Sequence, residues 1–140
     1  MKKKTTKGMY FFNTGIFPAT VMFVFGFDYD EILALLKKKK AVTWSKAIEE
    51  DRELMTDSNF LAMKRGLTNV KTGKEIDHFI IKIKEPFLFT DFEYCKLAHE
   101  VLHICQYVLP DILDRNKEHE AEAYLHTHLM NQCLVALRGK

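Results

Sequence analysis

The 140-residue sequence has no apolar run of membrane-spanning length. It has only three cysteines, Cys95, Cys105 and Cys133. An odd number without C-x-x-C spacing argues against a disulfide framework and for reduced thiols in a cytoplasmic protein. It also lacks a charge bias: the formal net charge of +2 is too small to point to nucleic acid. Much of the positive charge sits in Lys2-Lys3-Lys4 and Lys37–Lys40, which read as a solvated tail and a helix end. Lys2, Lys3, Lys4 and Lys7 ahead of an apolar stretch look like the start of an export signal. However, Asn13-Thr14-Gly15 and Pro18 interrupt that stretch, and its continuous part, Ala19 to Phe27, ends in Asp28-Tyr29-Asp30 with no small-x-small cleavage site. Internal repeats and low-complexity linkers are missing too. The expectation is a disordered basic tail over residues 1–7 and a single domain over residues 8–140.

What is present suits a globular α+β domain, with 47% hydrophobic and 29% charged residues. Met9 to Phe12 and Thr20 to Phe27, rich in aromatic and β-branched residues, predict two strands flanking a turn. Asp28 with Glu31 three residues on predicts an N-cap, followed by Ile32, Leu33, Leu35 and Leu36 at helical spacing. Ser45 is the candidate cap of a second helix, with Trp44 stapling its entry and Ala47, Ile48, Leu54 and Met55 turned inward. Strands are expected at Phe60 to Lys64, at Leu67 to Val70 after a break at Gly66, and at His78 to Lys84 after a turn at Thr72-Gly73-Lys74. In the last of these, Phe79, Ile81 and Ile83 share one face. His78, Ile80, Lys82 and Lys84 share the other, which reads as half exposed.

The chemistry concentrates in His99-Glu100-Val101-Leu102-His103, an H-E-x-x-H pattern. On a helix, two histidines four apart project from one face, so both imidazoles can reach one Zn²⁺. The glutamate beside the first can take a proton from the water at that metal. Thr90 and Glu93 form a capping box ahead of the motif and Pro110 stops the helix after Leu109. Between Leu97 and Leu109 no Lys, Arg or Asp occurs, which predicts a helix buried nearly all round. Tyr94, Leu97, Val101, Ile104 and Val108 would be its packing face. A carboxylate held in such a segment is costly without a partner, and a metal site explains it where a packing face does not.

A catalytic zinc usually takes three protein ligands. The final helix, expected from about Lys117 to Leu137 with Leu125, Leu129, Cys133 and Ala136 inward, opens with Glu118-His119-Glu120-Ala121-Glu122. Acidic residues in a first turn also simply complement the helix dipole. Helical spacing gives Glu118 and Glu122 a better angle to the Leu125–Leu129 face than Glu120.

His99-Glu100-x-x-His103 followed by Glu120-x-Glu122-Ala123-Tyr124 resembles gluzincin-type metallopeptidases, in particular the ImmA/IrrE family. With Glu120-x-x-Ala123-Tyr124-Leu125 it is also similar to small H-E-x-x-H proteins of phages and mobile elements. The resemblance spans roughly residues 78–130. It implies a zincin-like fold: a small antiparallel or mixed sheet packed on the H-E-x-x-H helix and on a C-terminal ligand-bearing helix. It makes His99, His103 and Glu120 the zinc ligands, with Glu122 in reserve, because a small Ala123 lets the two site helices approach. Tyr124 replaces an Asn of the family pattern and, with His126, is a candidate for orienting a ligand histidine or stabilising the transition state. Tyr107 is a further candidate donor to the oxyanion.

The function so implied is zinc-dependent hydrolysis of a peptide or protein substrate, with Glu100 as general base. The substrate would add as a strand along an edge formed by His78, Ile80 and Lys82. The alternative is a zincin-like metal-binding module with little or no turnover that acts through a protein partner. Glu100 speaks against it, since a structural site needs no base. The short chain, with little room for a substrate-specific subdomain, speaks for it.

Overall fold

Two strands supply the middle of the molecule because each carries a run of buried apolar side chains, Val21 to Phe25 in one and Phe79 to Ile83, interrupted by Lys82, in the other. In the computed structural model, which describes residues 7–14, 17–68, 75–108 and 119–139, these are β2 (Phe17–Phe25) and β4 (Glu75–Ile83). They pair in parallel, with Val21 opposite Phe79, Phe23 opposite Ile81 and Phe25 opposite Ile83. β1 (Gly8–Thr14) flanks β2 and β3 (Phe60–Thr68) flanks β4, both antiparallel, giving a mixed sheet in the order β1-β2-β4-β3. Ala19 to Phe27, the stretch weighed above as an export segment, therefore lies largely in a core strand. Of the expected tail, residues 1–6 lie outside the described residues, while Lys7 sets its ammonium 5.8 Å from the centre of the Phe27 ring.

Side chains alternate across a strand, so a sheet apolar on both faces needs two covers. Val21, Phe23, Phe25, Phe79, Ile81 and Ile83 face α4 (Asp91–Val108) and α5 (His119–Leu137), which bury Leu97, Val101, Ile104, Leu125 and Leu129 against them. Met22, Val24, Ile80 and Met63 face α1 (Tyr29–Lys38), α2 (Val42–Glu50) and α3 (Arg52–Asp57), with Ile32, Leu36, Trp44, Ile48 and Met55. The result is α+β, a small mixed sheet between two helical layers. Among the described residues, no helix is long and apolar enough to cross a membrane.

Local sequence accounts for most of these boundaries. Asp28 and Glu31 form the full capping box at α1: Glu31 N donates to Asp28 Oδ1 at 2.9 Å and Asp28 N donates to Glu31 Oε1 at 3.2 Å. At α4 only half of the expected box forms. Glu93 N donates to Thr90 Oγ1 at 3.2 Å, but the Glu93 carboxylate accepts instead from Leu88 N, at 3.0 and 3.1 Å. Phe89, at φ 61°, turns the chain there, a left-handed conformation costing an aromatic residue on the order of 1 kcal/mol. Its ring packs on Phe87 and Tyr94, with centroids 5.0 and 6.3 Å away.

Four expectations need correction. α2 begins at Val42, not Ser45, whose hydroxyl donates back to Ala41 O at 2.9 Å as an interior helical serine does. Trp44 accordingly lies within the helix, with its ring against Phe11 and His78. β3 runs without a break through Gly66. α4 is not buried all round: Leu97, Val101, Ile104 and Val108 face the sheet as expected, whereas His99 is exposed and Leu102 is 37% exposed.

The fourth concerns β4. It is an interior strand, between β2 and β3, and not an edge. Ile80 and Lys82 have no exposed surface, and the His78 ring packs edge-on to Trp44 of α2 at 4.7 Å. All three therefore face the α1–α3 layer, across the sheet from His99 and His103. Lys82 is tolerated there because α3 ends above it: its ammonium donates to Met55 O and, at 2.6 Å, to Ser58 O. Such carbonyls at a helix C-terminus are short of partners and favour a cation.

Burial, reinforced by the Lys84 ammonium, lowers the Lys82 pKa from 10.5 to about 8, against the opposite pull of Asp28 and Asp57. Between those two values the unfolded chain holds a proton that the folded one has released, so this group makes stability rise with pH across that window. The gap corresponds to on the order of 3 kcal/mol. Buried Cys105 and Cys133, whose thiols are held protonated above their ordinary range, act in the opposite sense from about pH 9 upward. Urea unfolding of wild type and Lys82→Met, compared from pH 7.5 to 10.5, removes the thiol contribution by subtraction. The wild-type curve should gain on the variant by up to that amount. A constant difference would refute the account.

Candidate metal centre

α4 divides its circumference among three surroundings. One row, Leu97, Val101, Ile104 and Val108, is bound to the sheet. A second, Leu102 and Cys105, turns to α5. The third carries His99 and His103, four apart and so stacked one turn above the other.

The two imidazoles converge. His99 Nε2 and His103 Nε2 are 3.0 Å apart, with the rings nearly perpendicular at 89°. Two nitrogens bound to one tetrahedral zinc at the usual 2.0–2.1 Å stand about 3.3 Å from each other. The pair is therefore within a few tenths of an ångström of a chelating arrangement. His103 Nδ1 lies 3.3 Å from Gln106 Oε1. An amide oxygen only accepts, so Nδ1 carries the proton and Nε2 presents its lone pair toward His99. The Tyr107 ring stacks on His103, at 6.2 Å and 17°, and holds the ring plane from the other side. Gln106 and Tyr107 thus orient the His103 ring, as the neighbours of metal-binding histidines do. Gln106 was not singled out from the sequence, although its spacing of three from His103 was a signal that it lay on the same face.

Glu100, half-buried, lines a groove of about 600 Å³ with His99. The opposite wall is Ser58-Asn59-Phe60, the start of β3, and the floor continues along α4 through Phe92, Cys95 and Lys96. The strand bordering the site is therefore the edge strand β3. Asn59 is tied down, with its side-chain oxygen accepting from Glu85 N at 3.1 Å.

α5 lies beside α4. His126 Nε2 is 3.2 Å from Ala98 O, to which it must donate, and this bond fastens α5 to the backbone next to His99. A second groove, of about 490 Å³, runs between Leu102 of α4 and Glu122, Ala123, His126 and Thr127 of α5. The Glu122 carboxylate is close enough to Cys105 to add to burial in pushing that thiol up to about 12. Glu122 thus belongs to the Leu102–Cys105 row, one step around α4 from the histidines. Among the described residues no three His, Cys, Asp or Glu side chains are grouped as a metal-binding set. Glu120 falls in the first turn of α5; its side chain, and Glu118 altogether, lie outside the described residues, as do Leu109, Pro110 and Lys117.

Tyr124 packs on His128 rather than on His99 or His103. It is 49% exposed and stacks on His128, at 6.0 Å and 14°, whose Nε2 in turn donates to Asn13 O of β1 at 3.3 Å. Of the residues expected at the site, His99, Glu100 and His103 come together and His126 stands beside them, while Tyr124, His78, Ile80 and Lys82 do not join them. Set against protein families, curated proteins and solved structures, the chain matches none.

Proposed function

We propose that the chain is a small zinc-dependent, zincin-like metallopeptidase in which His99, His103 and Glu120 hold the metal and Glu100 is the general base. The observation that carries this reading is the pair of imidazole nitrogens 3.0 Å apart, with Gln106 fixing the tautomer that leaves His103 Nε2 free to bind. When bound, zinc supplies Lewis acidity, polarising a carbonyl and making a water acidic near neutral pH. Glu100 borders the groove where that water and a scissile carbonyl would meet. It takes the proton from the attacking water and delivers it to the departing amine. A peptide would lie between α4 and the start of β3, whose outer edge is the natural place for an added strand. This role passes to β3 from the interior β4.

Glu120 is preferred over Glu122 because the Glu122 carboxylate acts on Cys105, which lies a step around α4 from the histidines. Glu120 also stands three residues before the small Ala123, the spacing that the resemblance implies for the ligand glutamate. The test is zinc affinity by competition with a chromophoric chelator. Wild type should take up one equivalent, and His99→Ala or His103→Ala should lose it. Glu120→Gln should weaken binding by more than the roughly 10–100-fold that loss of an orienting partner costs, and Glu122→Gln by only a few-fold. An unchanged affinity in His99→Ala would end the proposal. The opposite order of the two glutamine variants would exchange the ligand assignment.

A further inference from the structure

Lys96 is a cation set into the wall of the groove that holds His99 and Glu100. Its ammonium lies 5.3 Å from the centre of the Phe60 ring on β3 and 5.1 Å from that of Phe92 on α4. Two aromatic faces therefore hold the charge in place, within the range of a cation–π attraction. Among the described residues Lys96 makes no ion pair. The ammonium is thus oriented without being neutralised. The other charged side chain of the groove is Glu100, whose carboxylate has its own task. Phe92, 69% exposed, continues the groove as an apolar wall.

We infer that this groove selects peptides carrying a carboxylate close to the scissile bond, and that Lys96 reads it. The inference rests on the metallopeptidase reading for the direction in which a peptide lies, but not for the recognition itself. Position sets the register. Lys96 precedes His99 by three residues and Glu100 by four, so it sits about one helical turn, roughly 5–6 Å, from the reactive pair. An extended peptide advances about 3.3–3.6 Å per residue. The carboxylate read by Lys96 therefore belongs to a residue one or two positions from the bond being cut. The Phe60 and Phe92 rings would contact the aliphatic part of that residue and its neighbour while holding the ammonium between them. The carboxylate can be a Glu or Asp side chain or a peptide C-terminus.

Binding tests this without turnover. Fluorescein-labelled peptides with blocked ends, identical but for one Glu or Gln, are titrated by anisotropy into the full chain carrying Glu100→Gln, with zinc and without it. A third peptide lacks the Glu but has a free C-terminus. The Glu peptide should bind up to roughly fivefold tighter than its Gln twin. Lys96→Gln should bring the twins within about twofold and Lys96→Glu should reverse the preference toward a Lys-bearing twin. Lys96 is exposed, so both variants should retain the wild-type thermal transition. A preference shown only by the free C-terminus would assign the carboxylate to a chain end. Equal binding of the Glu, Gln and free-C-terminus peptides, a preference that survives Lys96→Gln, or no binding up to millimolar peptide would overturn the inference. A zinc-loaded Glu100 protein that cuts no peptide would overturn the peptidase reading alone, leaving the Glu-against-Gln comparison to stand or fall separately.

Discussion

Glu100→Gln should keep its zinc and lose its hydrolysis. Glutamine is nearly isosteric with glutamate, and Glu100 is not one of the proposed ligands, so metal content and affinity should stay within a few-fold of wild type. What would disappear is the proposed base. General acid–base catalysis contributes about 10²–10⁴-fold, so kcat on unfolded casein or a quenched-fluorescence peptide library should fall by that factor. The loss should appear in kcat with little change in KM, since removing a proton acceptor alters the transition state rather than peptide binding. The half-burial of Glu100 beside His99 in the β3–α4 groove is what connects the residue to the reaction. Zinc-loaded wild type that is as inactive as the variant would leave a metal-binding module acting through a partner. Loss of zinc in Glu100→Gln would mean that the carboxylate is a ligand and that the role of base belongs elsewhere.

How much of this was legible in the sequence depended on whether the signal was local. The Asp28–Glu31 box, the inward row of α4 and the two central strands follow from spacings of two, three and four residues, and they occur as expected. The H-E-x-x-H geometry is local in the same sense: one turn of helix brings His99 and His103 together whatever lies around them. Strand order is not local. His78, Ile80 and Lys82 alternate with apolar residues, and a lysine in such a row reads as solvent-facing. β3 then pairs on the far side of β4, and the carbonyls ending α3 meet the Lys82 ammonium, so the row is covered. The surroundings of α4 misled in the opposite direction. The run without Lys, Arg or Asp from Leu97 to Leu109 suggested burial on all sides, whereas His99 stands exposed on the groove between α4 and β3. Uncharged residues there reflect an open groove as much as a core. Gln106 and Lys96 escaped notice because each acts through a neighbour: one through the tautomer of His103, the other through two rings from different elements.

Phe23→Ala should be among the most damaging core substitutions, because Phe23 stands where the sheet meets the layer that carries the site. It has no exposed surface. Its ring lies 6.0 Å from Phe12 and 5.0 Å from Phe25, and its parallel neighbour across the sheet is Ile81. Flanking strands on both sides leave the backbone little freedom to close the void, so the lost transfer energy and the cavity add. About 3–5 kcal/mol is expected, a large part of what a domain of this size possesses. In a thermal scan this corresponds to a fall of roughly 10–15 °C, and in urea to an earlier midpoint with an unchanged slope. Phe92→Ala is the control: at 69% exposed it should cost under about 1 kcal/mol. A Phe23→Ala loss no larger than that of Phe92→Ala would mean that the sheet and the α4–α5 layer do not share one core. Their common core is also why zinc affinity should serve as a folding readout. His99 and His103 face away from the sheet, so Phe23→Ala should bind zinc normally while folded and lose it in step with the unfolding transition.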